Sequence, residues 1–458
     1  MNWQPTKLSE FLTERDGRIK YEDANQLGLQ RIKKIDFSGN IHLDVETDTK
    51  TDMIRVKSGD LVISGINAAK GAIAVHAEDD DVLATIHYSA YEFNSDRISV
   101  DFLKWFFKSP EFSDLLREQI PGGIKTELKP KHILPLQVNL PNLSEQITVA
   151  EQLNHFRFEQ LKLEHEIIHQ QSLLAKLKQA ILQEAIQGKL TADWRVAHPD
   201  VEPASQLLQR IRNQRLEEYE KDLATAEKLG KRKPKKPRGL LSPVDYGLPD
   251  WPDIPPTWVA TVVDKLGMVC VGSTPDRNRK EFWGGSIPWV SSGEVANCFI
   301  YDTHEKISEE GFKRASVTMH PPGTVLIAMI GQGKTRGQSA VLKISACTNQ
   351  NSASVVIDHG LVVPEFLWMV FLARYNESRE AAKGGNQPAL NGEVIGRIAL
   401  RLPPLDEQAA IVARVDVLMT TCRALESETE RSRTRAAQLL QAVLKEAFAP
   451  ANELTATT

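Results

Sequence analysis

At 458 residues the chain is too long for one ordinary hydrophobic core, so two or three domains are expected. Charged residues at 25% and hydrophobic ones at 41% give the balance of a soluble globular protein, and no apolar run reaches the roughly 18 residues that suggest a membrane span. A net charge of −4 argues against coating nucleic acid by bulk charge, while leaving local basic faces open. Met1 to Glu10 has no cationic start followed by an apolar stretch, from which a cytoplasmic location without membrane contact is expected. Cys270, Cys298, Cys347 and Cys422 are scattered, with no pair at metal-ligand or redox spacing, and read as buried small residues.

In chain order, Met1 to about Asn139 is a mixed segment: short β-rich runs such as Asp60 to Ser64, then a helical aromatic stretch, Phe102 to Phe107. From Gly122 to Ile186 the sequence matches a second stretch 262 residues later without a gap. Leu140 to Gln146, LPNLSEQ, returns as LPPLDEQ at Leu402 to Gln408; Ala175 to Ile186 returns at Ala437 to Phe448 with seven of twelve residues identical. Between these anchors apolar residues recur every three and four positions, which predicts a helix in each copy. The first stripe is Val149, Leu153, Phe156, Leu163, Ile167, Leu174, Leu177 and Ile181. The second is Ile411, Val415, Leu418, Cys422, Leu425, Ala436, Leu439 and Val443, and both turn polar near the middle. Ser144 and Asp406 are the expected N-caps, Gly188 and Pro450 the expected stops. A helix from Ser144 to Ile186 is about 65 Å long. A lone helix cannot bury such a stripe, so the copies are expected to pair as an antiparallel coiled coil. The alternative is two unrelated surface helices on separate cores.

A linker follows, from about Leu190 to Gly247. Its middle, Pro203 to Leu229, reads as a charged helix, and Lys228 to Arg238 carries seven cations in eleven residues with two prolines. That run reads either as solvated linker or as an arm touching phosphate. The segment from about Leu248 to Arg401 repeats the mixed character of the first, with a β-rich run at Val259 to Val263 and a helical aromatic stretch at Phe366 to Phe371. Gly59 to Ser64 resembles Gly323 to Ala328, which sets Lys70 against Lys334.

Three strings invite a chemical reading. Gly331 to Gly337, GQGKTRG, ends in Gly-Lys-Thr like a phosphate-binding loop, but Ala328 stands where that loop needs Gly and no helical pattern follows Thr335. A glycine-rich tip that approaches a groove fits better: Lys334 and Arg336 would meet phosphates or guanine edges, and Gln332, Thr335 and Gln338 would bond bases. A bland basic hairpin tip is the alternative. Gly384 to Gly392, with Asn386, Gln387 and Asn391, is either a second groove-entering loop or a structural turn. In Gly272 to Val295, Trp283 and Trp289 are expected to pack under the loops, and Thr274, Ser291 and Ser292 to reach a base or phosphate. No catalytic constellation emerges: His165 and His169 have helical spacing but lack a third ligand, and no amino-methyltransferase string or nuclease cluster is present.

The Leu-Pro-x-Leu-x-Glu-Gln helix starts at Leu140 and Leu402 combine with QGKLTADWR at Gln187 to Arg195, IPPTW at Ile254 to Trp258, and the string from Gly272. In these the chain resembles the specificity subunits of Type I restriction-modification systems, over nearly its whole length. The resemblance implies an α+β fold with an internal pseudo-twofold repeat: two mixed α/β target recognition domains joined by two long helices that pair as an antiparallel coiled coil. The corresponding bounds are 1–139 and 248–401 for the recognition domains, 140–190 and 402–458 for the helical spacers, and 191–247 for the linker. It also implies a non-catalytic subunit that binds a bipartite site on double-stranded DNA together with two modification subunits and with restriction subunits. S-adenosylmethionine, ATP and magnesium are expected on those partners, and no cofactor or metal on this chain. The expected DNA-binding residues are Lys57, Asn67, Lys70, Lys125, Thr274, Ser291, Ser292, Gln332, Lys334, Thr335, Arg336, Gln338, Asn386 and Gln387. The first segment departs from the pattern: it has no Trp-Gly-Gly string, and its loop Asn67 to Gly71 is shorter than its counterpart.

Overall fold

The structure, a computed structural model, describes residues 3–44, 50–119, 127–241, 247–331, 335–357, 360–380 and 390–448. It divides into two compact units: Met1–Gln171 with Ser427–Thr458, and Ser172–Glu426. Each unit therefore holds one mixed α/β globule and part of each long helix.

In the first unit the strand Leu61–Ser64 lies inside an antiparallel sheet, ordered Leu12–Glu14, Tyr88–Phe93, Leu61–Ser64, Ile73–Val75. Successive side chains of a strand point to opposite faces. Leu61 and Ile63 enter the core built by Phe102, Phe106 and Phe107 of the helix Val100–Lys108, while Val62 packs with Val56 and Val82 of a second, five-stranded sheet. A strand covered on both faces has no polar side to alternate, which is why Leu61 to Ile63 reads as an unbroken apolar run, closed by the buried Ser64. The second unit repeats the device. Its strand Val325–Ala328 sends Val325 and Ile327 into the core with Phe366 and Phe371 of the helix Pro364–Glu380, and Leu326 and Ala328 into a separate cluster with Val290 and Val295.

Both globules are fastened to their helices in the same way. Gln4–Lys7 pairs antiparallel with Gln137–Leu140, and Val259–Val262 with Ala399–Leu402, immediately before each helix. The glutamine closing each LPxLxEQ string is buried. Gln146 Oε1 accepts from Ser99 N (2.8 Å) and its amide donates to Arg97 O and Pro141 O; Gln408 Oε1 accepts from Val363 N (2.9 Å) and its amide donates to Pro403 O. In each copy it ties the loop before the aromatic helix to the start of the long helix.

The long helices run Leu143–Ile186 and Leu405–Phe448, 44 residues each. The N-caps differ from expectation. Asn142, not Ser144, caps the first helix, its Oδ1 accepting from Glu145 N at 2.9 Å, because it stands just before the first helical residue. The matching position in the second copy is Pro404, which has no side-chain acceptor; Asp406 lies inside the first turn, where a carboxylate favours the helix dipole. Gly188 ends the first helix as expected, at φ +75°, with Lys189 N donating to Glu184 O. Pro450 lies outside the described residues.

The helices are antiparallel within each unit. In the first, Gln160 Nε2 donates to Ala436 O (3.1 Å), and Leu444 and Phe448 share the core of Val149, Ala150 and Leu153. In the second, Lys178 Nζ meets Glu426 Oε1 (2.6 Å), and Ile181, Leu182 and Ala185 pack with Ile411, Val415 and Cys422. The buried seam is narrower than the expected stripe. Leu153, Gln160, Ile167, Leu174 and Ile181, seven residues apart, are all 8% exposed or less, whereas Leu163, Leu177, Leu425 and Leu439 are 45–53% exposed. Two paired helices cover one line of each helix, and the second line faces outward.

Candidate nucleic-acid interface

In the second globule the five-stranded sheet is ordered Gly267–Val271, Ser352–Ile357, Val325–Ala328, Ser339–Leu342, Cys298–Ile300. Its register sets Val271 against Ala353, Ala328 against Ser352 and Ile327 against Ser339. The loops that follow Val271 and Ala328, and those that precede Ser339 and Ser352, therefore leave the sheet at one end. Backbone bonds lace them together: Ser273 N to Thr348 O (2.9 Å), Met329 N to Asn351 O (2.8 Å) and Asn349 N to Val290 O (3.1 Å). Gly272 passes so close to Thr348 that a Cβ would sit 2.2 Å from its carbonyl oxygen, so only glycine fits there.

On this scaffold Thr274 Oγ1 donates to Gln350 Oε1, joining two loops 76 residues apart. Ser291 is committed inside its own loop, since its N–H and hydroxyl both donate to Glu294 Oε2 (2.9 Å each). Ser292 Oγ accepts from the buried Asn349 side chain at 3.4 Å. Trp289 is buried and donates to Ser273 O (3.1 Å), and Trp283 meets it edge-on at 5.1 Å, so both pack beneath the loops as expected. Arg277 stacks 3.9 Å over Trp283 and pairs with both oxygens of Glu305, which holds the Glu305 carboxyl below its ordinary range. That arginine is a brace within the loops.

Thr335, Arg336 and Gln338 are half-buried in a turn, with Gln338 N donating to Thr335 O (2.9 Å), and the chain returns as the antiparallel strand Ser339–Leu342. A phosphate-binding loop opens a helix. Here Thr335 leads through a turn into a strand, which removes the nucleotide-binding reading of GQGKTRG. Gln332 and Lys334 lie outside the described residues, as do Asn386, Gln387 and Lys125. Asn391 is a helix cap, its Oδ1 accepting from Glu393 N and Val394 N (2.9 Å each).

In the first globule Asn67 and Lys70 sit on the tight turn after Leu61–Ser64, with Asn67 O accepting from Lys70 N (3.0 Å) and Gly71 at φ +88°. Lys57 is at the other end of the same strand, in a turn where its N–H bonds Asp60, itself held by Arg15. The structure thus separates Lys57 from the Asn67 and Lys70 turn. Beside that turn stands the tip of a hairpin, residues 36–40, ordered by Asp36 accepting from Ser38 N, Asn40 N and His42 Nε2. These bonds, led by that from Asn40 N, hold the Asp36 carboxyl far below the ordinary carboxylate range. The exposed Phe37 at the tip carries Lys70 Nζ 5.6 Å from its ring centroid, and Lys108 Nζ donates to Phe37 O (2.6 Å). Burial, then the nearby charges of Arg157 and Lys104, push the Lys108 ammonium below its ordinary value. Crowded cations of this kind are a ready place for a phosphate.

Sequence reading missed Gln350, Phe37, Lys104 and Lys108. A signal existed for two groups of them: the amide string Thr348 to Asn351, and the lysines one turn apart on the polar side of an aromatic helix. No group of three His, Cys, Asp or Glu side chains suited to a metal occurs among the described residues. Nor is any described helix long and apolar enough to cross a membrane.

Residues 260–432 match the family model described as the Type I restriction modification DNA specificity domain. The fold is that of a solved HsdS subunit from Thermoanaerobacter tengcongensis, with a TM-score of 0.54 at 15% identity over 98% of this chain and 96% of that one. A chain from a structure of the type I R-M system, concerned with complex assembly and conformational transition, gives a TM-score of 0.60 at 16% identity, covering 98% and 97%. The MjaIX specificity subunit of Methanocaldococcus jannaschii is 29% identical over 34% of this chain and 37% of its own length. The EcoDI specificity subunit of Escherichia coli is 25% identical over 78% of this chain and 71% of its own. Against the MjaIX and EcoR124I/EcoR124II subunits the match spans 37% and 38% of the relative, little more than a third. Together these matches bear out the resemblance to Type I specificity subunits.

Proposed function

We propose that this chain is a DNA sequence-recognition subunit that reads a bipartite duplex target, one half per globule, and directs partner subunits without catalysing a reaction itself. The observation that carries the reading is the convergence of loops at one end of the second globule's sheet, where Thr274, Gln350, Thr335, Arg336 and Gln338 share a scaffold fastened by backbone bonds. Amide, hydroxyl and guanidinium groups on such a scaffold discriminate base edges at about 1–3 kcal/mol per good bidentate contact, while lysines position the backbone. In the first globule the hairpin tip at 36–40, Lys70, Lys104 and Lys108 take the equivalent part. The recognition domains correspond to 1–139 and 248–401, and Gln332, Lys334, Lys125, Asn386 and Gln387 remain in the DNA-binding set.

The repeated fastening of globule to helix by Gln146 and Gln408 supports a pseudo-twofold subunit able to take two copies of one modification partner. S-adenosylmethionine belongs to those partners, and ATP and magnesium to restriction subunits. The test is duplex binding by the complex of this chain with its modification subunits, followed by fluorescence anisotropy as salt is varied. Affinity is expected to fall linearly on a log–log plot and to be higher for a duplex carrying the target. A complex whose DNA affinity is indifferent to salt and sequence would contradict the reading.

A further inference from the structure

The basic run of the linker is not a free tether. The helix Ala204–Lys228 is seated on the second globule through Ala204, Leu207 and Ile211, and its buried Arg215 donates to Asp264 O (2.7 Å) and Gly267 O (3.0 Å). The helix ends where Gly230 takes φ +61° and Lys231 N donates to Ala226 O (2.9 Å), which turns the chain back. The returning segment is then anchored again. Arg238 Nη2 donates to Gly392 O (2.8 Å) and meets Asp264 Oδ1 at 3.3 Å, and Leu240 is buried. Gly239 lies so tightly on Asp264 that a Cβ would stand 2.0 Å from its carbonyl oxygen.

Between these anchors Lys231, Arg232, Lys235 and Lys236 are exposed, and Lys233 pairs with Glu227 at 3.0 Å. Pro234 and Pro237 favour extended backbone, in which residues 231–236 span about 15 Å at ~3.1 Å per residue. Phosphates of one DNA strand rise about 3.4 Å apart along the axis, so a segment of this length lies within reach of several phosphates of the duplex. Beneath it lies a cleft of about 510 Å³, lined in part by Lys235, Lys236, Arg238, Met268 and Val271. Met268 and Val271 belong to the edge strand Gly267–Val271, which runs directly into Gly272 and the loops described above. In a chain of net charge −4, this is a concentrated positive surface held in register with the second globule.

We propose that residues 231–236 form a fixed strap that binds the phosphate backbone of duplex DNA regardless of its sequence. The strap rests on the DNA-reading function proposed above and adds to it an element outside the recognition loops. The full chain with its modification subunits is titrated with target and non-target duplexes at several salt concentrations, as wild type, as K231Q/R232Q/K235Q/K236Q, and as the charge-keeping K231R/K235R/K236R. The neutral variant is expected to flatten the slope of log K against log salt by up to about 3.6, or 0.9 for each of the four phosphates no longer neutralised, with the ratio of target to non-target affinity unchanged. The arginine variant is expected to keep the wild-type slope. An unchanged slope in the neutral variant would overturn the strap, and so would a loss confined to the target duplex. A wild-type complex with no salt-dependent binding to any duplex would instead overturn the DNA-reading function beneath it.

Discussion

Glu407 joins three stretches of the second unit that lie far apart in the sequence. It is fully buried; Oε1 accepts from Arg195 Nη1 and from Thr191 Oγ1 (2.6 Å), and Oε2 accepts from Trp258 Nε1 (2.8 Å). One carboxylate thereby joins the QGKLTADWR string, the IPPTW string and the second long helix. Glu407→Ala removes the counter-charge of a partly buried guanidinium, which keeps its bonds to Gly188 O and Thr191 Oγ1, and takes away the acceptor of a buried indole N–H. Removing one partner of a buried ion pair costs about 3–5 kcal/mol. Glu145, its counterpart in the first copy, is half-buried, and Glu145→Ala should cost no more than about 0.5 kcal/mol. Urea unfolding of the full chain, followed by tryptophan fluorescence, measures both, with limited proteolysis between residues 187 and 258 reporting local release. Equal midpoints for the two variants would refute the assignment of Glu407 as the joint of these motifs.

His320 is buried, with neither ring nitrogen bonded among the described residues, and burial lowers its pKa to about 4. The unfolded chain takes up a proton there below about pH 6.5 and the folded chain does not, so stability should fall by about 3 kcal/mol as pH drops from 6.5 to 4. His320→Leu should remove that part of the acid limb in melts across this window; an identical pH profile would count against it. Phe448 packs its ring 5.2 Å from Phe102 and 5.6 Å from Phe106, and Phe448→Ala should cost about 3–5 kcal/mol. The exposed Leu439→Ala on the same helix should change urea midpoints little, and a comparable loss in both would mean the seam is misassigned.

The long helices were legible because heptad spacing persists over six turns and more, and because the two copies share a frame. The width of their contact was not. Leu163 and Leu425 look like core residues by spacing, and only the pairing of two helices, which covers a single line, leaves them outside. Strand assignment succeeded at Leu61–Ser64 and at Val259–Val262, and the pattern of burial on both faces that marks the first returns at Val325–Ala328. The loops at the end of the second globule's sheet were legible only where they are continuous in sequence, as in the turn ending at Gln338. Gln350 reaches Thr274 across 76 residues, and Lys108 reaches Phe37 across 71, through sheet register that no local pattern reports. Nor does local pattern report that the Ser291 hydroxyl already donates to Glu294, three residues on.

Under the proposed function each globule reads its own half of a DNA site. Exchanging Gly272 to Leu390 for the equivalent segment of a relative, in a host that supplies the modification subunits, tests it through the methylated motif recovered from the genome. The expected motif is altered in one half only, with the other half and the spacing preserved. A motif altered in both halves, or in neither, would contradict it.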